Sequence, residues 1–326
     1  MIQKATQFIK SGGIVAFPTE TVYGLGADAT NEEACKKIFK MKGRPFINPL
    51  IVHIANIEQA ESIAEFNEDA YKLCKQFCPG PLTIVLNLQK NHNIASTVLA
   101  GLSTIALRMP SHPVALELIN RSGTCIAAPS ANPSGYISAT ETSHVKEHFS
   151  LEEIYILESL SSLRGAIATW QSHEINDIIY GLESTIIDVT SNEPTLLRHG
   201  FITLESLELV INKKIKISNS LMEIKAPGML DKHYSPNTKL RINAESLKSN
   251  EIGLNFGDSK LIGSYNLNLS EDGNLIETAR NLYSMLRKLD NYAILNKNLT
   301  IAIAPIPYIN IGFAINDKLK RASYTH

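Results

Sequence analysis

The chain has 326 residues, 44% of them hydrophobic and 19% charged, which is enough for two domains with cores of their own. Lys+Arg 31 against Asp+Glu 32 gives a formal net charge of -1. That is not the plainly basic balance of a general nucleic-acid binder, although a local basic groove stays open.

Ile2, Ala5, Phe8 and Ile9 recur at helical spacing, and Ser11-Gly12-Gly13 stops that helix. Ile14-Val15-Ala16-Phe17 then reads as a buried strand. It runs into Pro18-Thr19-Glu20-Thr21-Val22-Tyr23-Gly24-Leu25-Gly26-Ala27-Asp28, taken as a polar loop whose two glycines let backbone approach a ligand. Thr30-Asn31-Glu32-Glu33 reads as a capping box opening a helix to about Met41. Lys42 to Pro49 is a loop with two cations and two prolines, and Leu50 to Ile54 is an apolar strand carrying His53. One or two helices fill Ile57 to Phe77, and Leu82 to Leu88 and Thr104 to Pro110 are strands. A short helix starts at His112-Pro113, and the strand Cys125 to Pro129 ends in Ser130-Ala131-Asn132. Strands alternating with helices predict α/β architecture.

Residues 159–180 give no clear pattern. Order returns at Gly181 to Val189 and Pro194 to Gly200, with a helix from Leu204 to Ile211. The sequence divides into a first domain over 1–212, a linker over 213–238 and a smaller α/β domain over 239–326. The last contains an amphipathic helix from Leu275 to Leu289, a strand from Leu299 to Ala304 and a final helix near Ala314 to Ala322. Cys35, Cys74, Cys78 and Cys125 make no zinc spacing, no run approaches the ~20 apolar residues of a membrane span, and the N-terminus lacks a signal-type apolar core. The expectation is a soluble cytoplasmic protein with reduced cysteines.

Strand ends and adjoining loops carry hydroxyls (Thr21, Ser130, Ser184), cations (Lys42, Arg44, Arg108, Arg198), amides (Asn48, Asn132) and one imidazole, His53. Each taken singly has a bland reading: a solvated cation, a satisfied core histidine, a packed tyrosine at Tyr23 or Tyr234. Four cations at strand ends of one sheet make a bed for phosphates or carboxylates. No Gly-x-x-x-x-Gly-Lys-Ser/Thr loop is present. Gly24-Leu25-Gly26 lacks the third glycine of a dinucleotide fingerprint. Spacing alone stops at a polar, cationic ligand site on an α/β sheet.

Phe17 to Gly26, Lys42-Gly43-Arg44-Pro45, Asn48 to His53, Ala128 to Gly135 and Gly181 to Ile186 stand in the order of the YrdC-domain family. Ala226 to Pro236 and Gly312 to Ala322 resemble the long, two-domain form found among threonylcarbamoyl-AMP synthases. The resemblance covers nearly the whole chain. It implies a YrdC-like twisted mixed sheet with flanking helices, followed by a smaller Rossmann-like α/β domain. It implies a nucleotidyltransferase that condenses L-threonine, bicarbonate or CO2 and ATP into threonylcarbamoyl-AMP and pyrophosphate. That product then passes to the machinery that transfers the threonylcarbamoyl group to tRNA. By motif, Lys42, Arg44, Ser130 and Asn132 are the core catalytic set. Thr21, His53, Arg108 and Ser184 hold threonine, and Arg44, Asn48, Thr104, Ala128, Ser130, Ser138, Arg198 and Tyr234 hold ATP. Mg2+ accompanies ATP, with no protein metal site and no zinc, and Tyr234 belongs to a linker that folds back over the nucleotide. One departure stands out: the family has a short Asp-Gly-Gly turn before its Glu-Ser-Thr motif, where this chain has Glu158-Ser159 and a longer irregular segment. The rival readings are an RNA-binding module without catalysis and carbamoyl transfer in metallocentre maturation.

Overall fold

The computed structural model describes residues 1–158, 181–218, 233–296 and 299–324. The irregular segment 159–180, the Glu158-Ser159 departure and the linker stretch 219–232 lie wholly or partly outside the described residues. These residues divide into two compact units. The first takes in 1–133, 139–158 and 183–218. The second takes in 134–138, 181–182, 233–296 and 299–324.

The first unit opens with α1 (Ile2–Lys10), β1 (Ile14–Phe17), β2 (Gly24–Asp28), α2 (Glu32–Lys42) and β3 (Ile51–His53). It continues through α3 (Ile57–Glu61), β4 (Ala64–Glu65), α4 (Glu68–Phe77), β5 (Leu82–Leu88), α5 (Ser96–Leu99), β6 (Thr104–Arg108), α6 (Pro113–Ser122) and β7 (Ile126–Ala127). After these come α7 (Thr142–Lys146), β8 (Ile154–Ile156), β9 (Thr185–Asp188), β10 (Thr195–Arg198), α8 (Leu204–Ile211) and β11 (Lys216–Ile217). The strands form one mixed sheet in the order β11-β10-β9-β5-β6-β3-β7-β2-β1-β8, with β4 added on β5.

Alternation along the strands sorts side chains to two faces. Ile14, Ala16, Leu25, Ala27, Val52, Ala127, Ile84 and Leu107 join the main core with Ala34 and Ile38 of α2 and Leu73 of α4. On the other face Val15, Phe17, Ile126 and Ala128 pack with Ala5 and Ile9 of α1 and Val114 and Leu118 of α6. Farther along that face, Ile51, Val85, Ala106, Ile186 and Leu197 form a separate apolar patch.

Local chemistry explains the elements. Asn31, rather than Thr30, caps α2, its side chain accepting from the Ala34 amide at 3.0 Å. Gly43 ends α2 in the left-handed region at φ 61. His112 caps α6 and Pro113 occupies its first turn.

One expectation is corrected. Gly24 to Asp28 is not loop but strand β2, antiparallel to β1 with Phe17 opposite Gly24 and Val15 opposite Gly26. Its glycines are there for packing. A Cβ on Gly26 would lie 2.6 Å from both Ile126 Cγ2 and Phe17 Cε1.

The second unit is built on an all-parallel four-stranded sheet in the order β12-β15-β13-β14, from β12 (Leu240–Arg241), β13 (Glu251–Asn255), β14 (Asn266–Asn268) and β15 (Thr300–Ile303). The long α9 (Leu275–Leu295) and the last helix α10 (Gly312–Ala322) accompany it. This is the Rossmann-like α/β arrangement expected. Among the described residues no helix is long and apolar enough to cross a membrane.

Candidate active site

The apolar patch on the second sheet face is bordered by polar groups at both ends of the strands. On β6, Thr104, Ala106 and Arg108 share that face, and the four strand rises from Thr104 to Arg108 span about 13 Å.

The Arg108 end draws on four strands. His53 is the register partner of Arg108 across β3 and β6. Ile84 pairs with Leu107, which brings Thr83 beside Arg108, and Thr83 Oγ1 lies 2.7 Å from Ser184 Oγ. Ser184 is the residue before β9, and Arg198 donates to its carbonyl from Nε and to its hydroxyl from Nη2, both at 3.0 Å. The β9–β10 register shifts between Leu196 and Arg198. That bulge aims Leu197 at the patch and Arg198 at Ser184. The β1–β2 loop closes this end. Thr19 Oγ1 donates to the Val22 carbonyl at 2.7 Å and lies 2.8 Å from Thr21 Oγ1, which fixes the loop from inside. Between those threonines Glu20 accepts from Arg108 Nη2 at 2.7 Å.

Burial pushes the His53 pKa down to about 3, helped by the positive charge of Arg108. The imidazole is therefore neutral, and its ring meets Phe17 edge-on at 6.0 Å.

The other end carries the Lys-x-Arg and Ser-x-Asn motifs. Lys42, the last residue of α2, donates from Nζ to the carbonyls of Ser130 (2.6 Å) and Asn132. Burial, and then the neighbouring Arg44, hold its pKa well below the usual lysine range. Arg44 donates to the carbonyls of Asn48 (3.0 Å) and Pro49 (2.7 Å), closing the 44–49 loop. The Asn48 side chain is buried with neither its oxygen nor its nitrogen bonded among the described residues. Backbone bonds join the two motifs: Leu25 N to Pro129 O at 2.8 Å, Ala131 N to Tyr23 O at 2.7 Å, and a bridge between Gly24 and Ser130. Ala128 N donates to Ile51 O at 2.9 Å, so Ala128 stands at the start of β3.

Thr21, His53, Arg108 and Ser184 thus gather at one end. Lys42, Arg44, Asn48, Ala128, Ser130 and Asn132 gather at the other, with Thr104 on their side of the patch. Arg198 belongs with Ser184. Ser138 and Tyr234 fall in the second unit. There Tyr234, at φ 63, packs its ring on Tyr283 at 5.9 Å, with Lys318 Nζ 5.5 Å from its centre.

Sequence reasoning missed Thr83 and left Glu20 and Tyr23 without a part. Tyr23 is a loop former, its hydroxyl 3.0 Å from Thr142 Oγ1. Among the described residues no three His, Cys, Asp or Glu side chains converge as metal ligands.

A mixed sheet presenting buried cations and hydroxyls around an apolar floor defines a binding-and-positioning α/β module. The family model Sua5/YciO/YrdC, described as telomere recombination, matches residues 7–200. That of the threonylcarbamoyl-AMP synthase C-terminal domain matches 202–323. The chain belongs to the threonylcarbamoyl-AMP synthase family. A threonylcarbamoyl-AMP synthase of Pyrococcus abyssi is 40% identical over 99% of this chain and 94% of its own length. One of Bacillus subtilis is 37% identical over 99% and 92%. The structure of P. abyssi Sua5 complexed with L-threonine superimposes with TM-score 0.84 at 36% identity, covering 99% of this chain and 94% of that one. E. coli YciO, 20% identical, shares the fold with TM-score 0.52 over 63% of this chain and 92% of its own.

Proposed function

We propose that this protein is an L-threonylcarbamoyladenylate synthase: a nucleotidyltransferase that joins L-threonine, bicarbonate or CO2 and ATP into threonylcarbamoyl-AMP, releasing pyrophosphate. The observation that carries the reading is the pair of polar clusters flanking one apolar floor, with Arg108, His53, Thr83 and Ser184 at one end and Lys42, Arg44, Asn48 and Asn132 at the other. The roughly 13 Å length of β6 between Thr104 and Arg108 suits a ligand made of an amino acid joined to a nucleotide.

The amino-acid end offers hydroxyl, imidazole and guanidinium, the groups a hydroxylated zwitterion needs. A carbamate formed on the threonine nitrogen attacks the α-phosphorus of ATP, and the P–O bond to pyrophosphate breaks. This chemistry asks for alignment and charge neutralisation more than for a base. Lys42 fixes the Ser130–Asn132 turn through two of its N–H groups, and the buried Asn48 amide is open to a nucleotide. Mg2+ would come with ATP, held by phosphate and water, since the described residues supply no carboxylate cage. We place the reaction in the cytoplasm, with the product consumed by the transferase that modifies tRNA.

The test is pyrophosphate release from ATP in the presence and absence of L-threonine and of bicarbonate. Dependence on both is expected. Threonine-independent turnover would point to carbamoyl transfer instead, and absent turnover with tight RNA binding to the binding-module reading. Serine, one methyl smaller, should react weakly, because a methyl contact is worth only about 1–3 kcal/mol.

A further inference from the structure

Glu20 and Arg108 form a buried ion pair, with side chains 6% and 5% exposed and Nη2 2.7 Å from Oε1. The pair is half complete. Glu20 Oε2 and Arg108 Nε are both buried with no hydrogen-bond partner among the described residues, and so is Nδ1 of His53, the register neighbour of Arg108. Open sites on a buried ion pair are costly.

The ion pair of Arg241 and Glu251 in the second unit looks different. Glu251 takes Arg241 Nε on Oε1 at 2.7 Å, and on Oε2 both Arg241 Nη2 and the Lys248 amide. Arg241 also donates to the Ser246 carbonyl at 2.8 Å. Both Glu251 oxygens are used, and neither Glu251 nor Arg241 leaves a buried polar atom open.

An anion with an open acceptor beside a cation with an open donor is the head-to-tail complement of one kind of small molecule: a free amino acid, whose ammonium and carboxylate leave the same carbon. We propose that Glu20 receives the α-ammonium of the substrate while Arg108 takes its α-carboxylate, so that the two clamp the zwitterion. The proposal rests on the threonine reading above and adds to it a residue that orients the nitrogen to be carboxylated. Glu20 is suited to this by its setting. The backbone amides of Thr21 and Val22 both donate to Thr19 Oγ1, at 3.2 and 3.3 Å, which fixes the backbone around the carboxylate. Thr21 Oγ1 lies on the next residue of the same loop.

Calorimetric titration of the full-length protein separates the possibilities. The ligands are L-threonine, L-threoninamide, which lacks the carboxylate, and (2S,3R)-2,3-dihydroxybutanoate, in which a hydroxyl replaces the ammonium. The wild type is expected to bind L-threonine about tenfold or more tightly than either analogue, the effect of losing one charge-assisted hydrogen bond. Glu20→Gln is expected to weaken L-threonine by about the same factor while leaving dihydroxybutanoate unchanged, so that the preference for the ammonium disappears. Glu20→Asp, which keeps the charge, should recover part of it; a packing role would weaken all three ligands together. Should Glu20→Gln fail to fold, the wild-type comparison decides alone: dihydroxybutanoate binding as tightly as L-threonine overturns the assignment. Tighter L-threonine binding by Glu20→Gln also overturns it, because Glu20 would then be competing with the ligand for Arg108. No L-threonine binding by the wild type overturns the threonine reading itself, and the clamp with it.

Discussion

His53 shows how one buried side chain sets a pH limit. Its folded pKa, about 3, lies below the ordinary 6.5, because burial and the Arg108 charge both oppose protonation. Between those values the unfolded chain binds a proton that the native state refuses. Stability is therefore full above about pH 6.5 and is lost as pH falls, at up to about 1.4 kcal/mol per unit. His53→Gln, which keeps a polar group without this titration, should flatten that acid limb. Unfolding curves of both proteins from pH 7 to 4 check it, and parallel curves would remove His53 as the cause. Thr83 yields a second prediction. Its hydroxyl bonds Ser184 at 2.7 Å, and Thr83→Val keeps the shape while removing that bond, at a cost of about 1 kcal/mol to the ordering of Ser184. The KM for L-threonine should rise roughly fivefold with kcat nearly unchanged, since 1 kcal/mol corresponds to about that factor. Residue type and motif made Arg108, His53 and Ser184 legible in the sequence. Thr83 was not, because a threonine among Leu82, Ile84 and Val85 reads as a strand former; only register shows that it faces Arg108. Glu20 could be seen but not assigned, since its partner lies 88 residues away.

At the scale of elements, short apolar runs located the strands β1, β3, β5, β6 and β7, and helical spacing and capping residues located α1, α2 and α6. The exceptions have physical reasons. β2 contains Gly24 and Gly26, depleted in strands, and so reads as loop. Its glycines are tolerated because the Phe17 ring lies across them. The bulge at Leu197 leaves no sequence signal, yet it decides where Arg198 points. The glycine reading gives a clear test. In Gly26→Ala the new Cβ meets Ile126 Cγ2 and the rigid Phe17 ring at 2.6 Å each, whereas in Gly24→Ala it meets only Phe17, at 3.1 and 3.3 Å, before Ala128 Cβ at 3.4 Å. Overpacking of this kind costs about 1–3 kcal/mol. The thermal midpoint should fall clearly in Gly26→Ala and less in Gly24→Ala, and Phe17→Leu should restore part of the Gly26→Ala loss. Equal midpoints for the two alanine variants would mean that the Phe17 ring is not the obstacle.

Across the whole molecule, the least legible feature is where residues 134–138 belong. They follow the Ser130–Asn132 motif by two residues and sit inside the stretch matched by the first family model, 7–200, yet they pack as part of the second unit. No composition shift marks them, because their partners come from α9, some 150 residues later. Asp290, fully buried on that helix, accepts the Tyr136 hydroxyl at 2.8 Å, the Asn237 and Thr238 amides at 3.1 and 2.8 Å, and the Asn237 side chain at 3.2 Å. Arg287, one turn earlier, donates to the Ile137 carbonyl at 2.6 Å and lies 4.9 Å from the centre of the Tyr136 ring. One carboxylate therefore ties a loop that begins just past the Ser130–Asn132 motif to the strand-entry segment after Tyr234. Asp290→Ala strips the acceptor from two backbone amides and a half-buried phenol, a loss of about 2–4 kcal/mol. Amide hydrogen exchange should quicken at Asn237 and Thr238 while the β5 amides of the first unit keep their protection. Unchanged exchange at Asn237 and Thr238 would show that the carboxylate does not hold the segment.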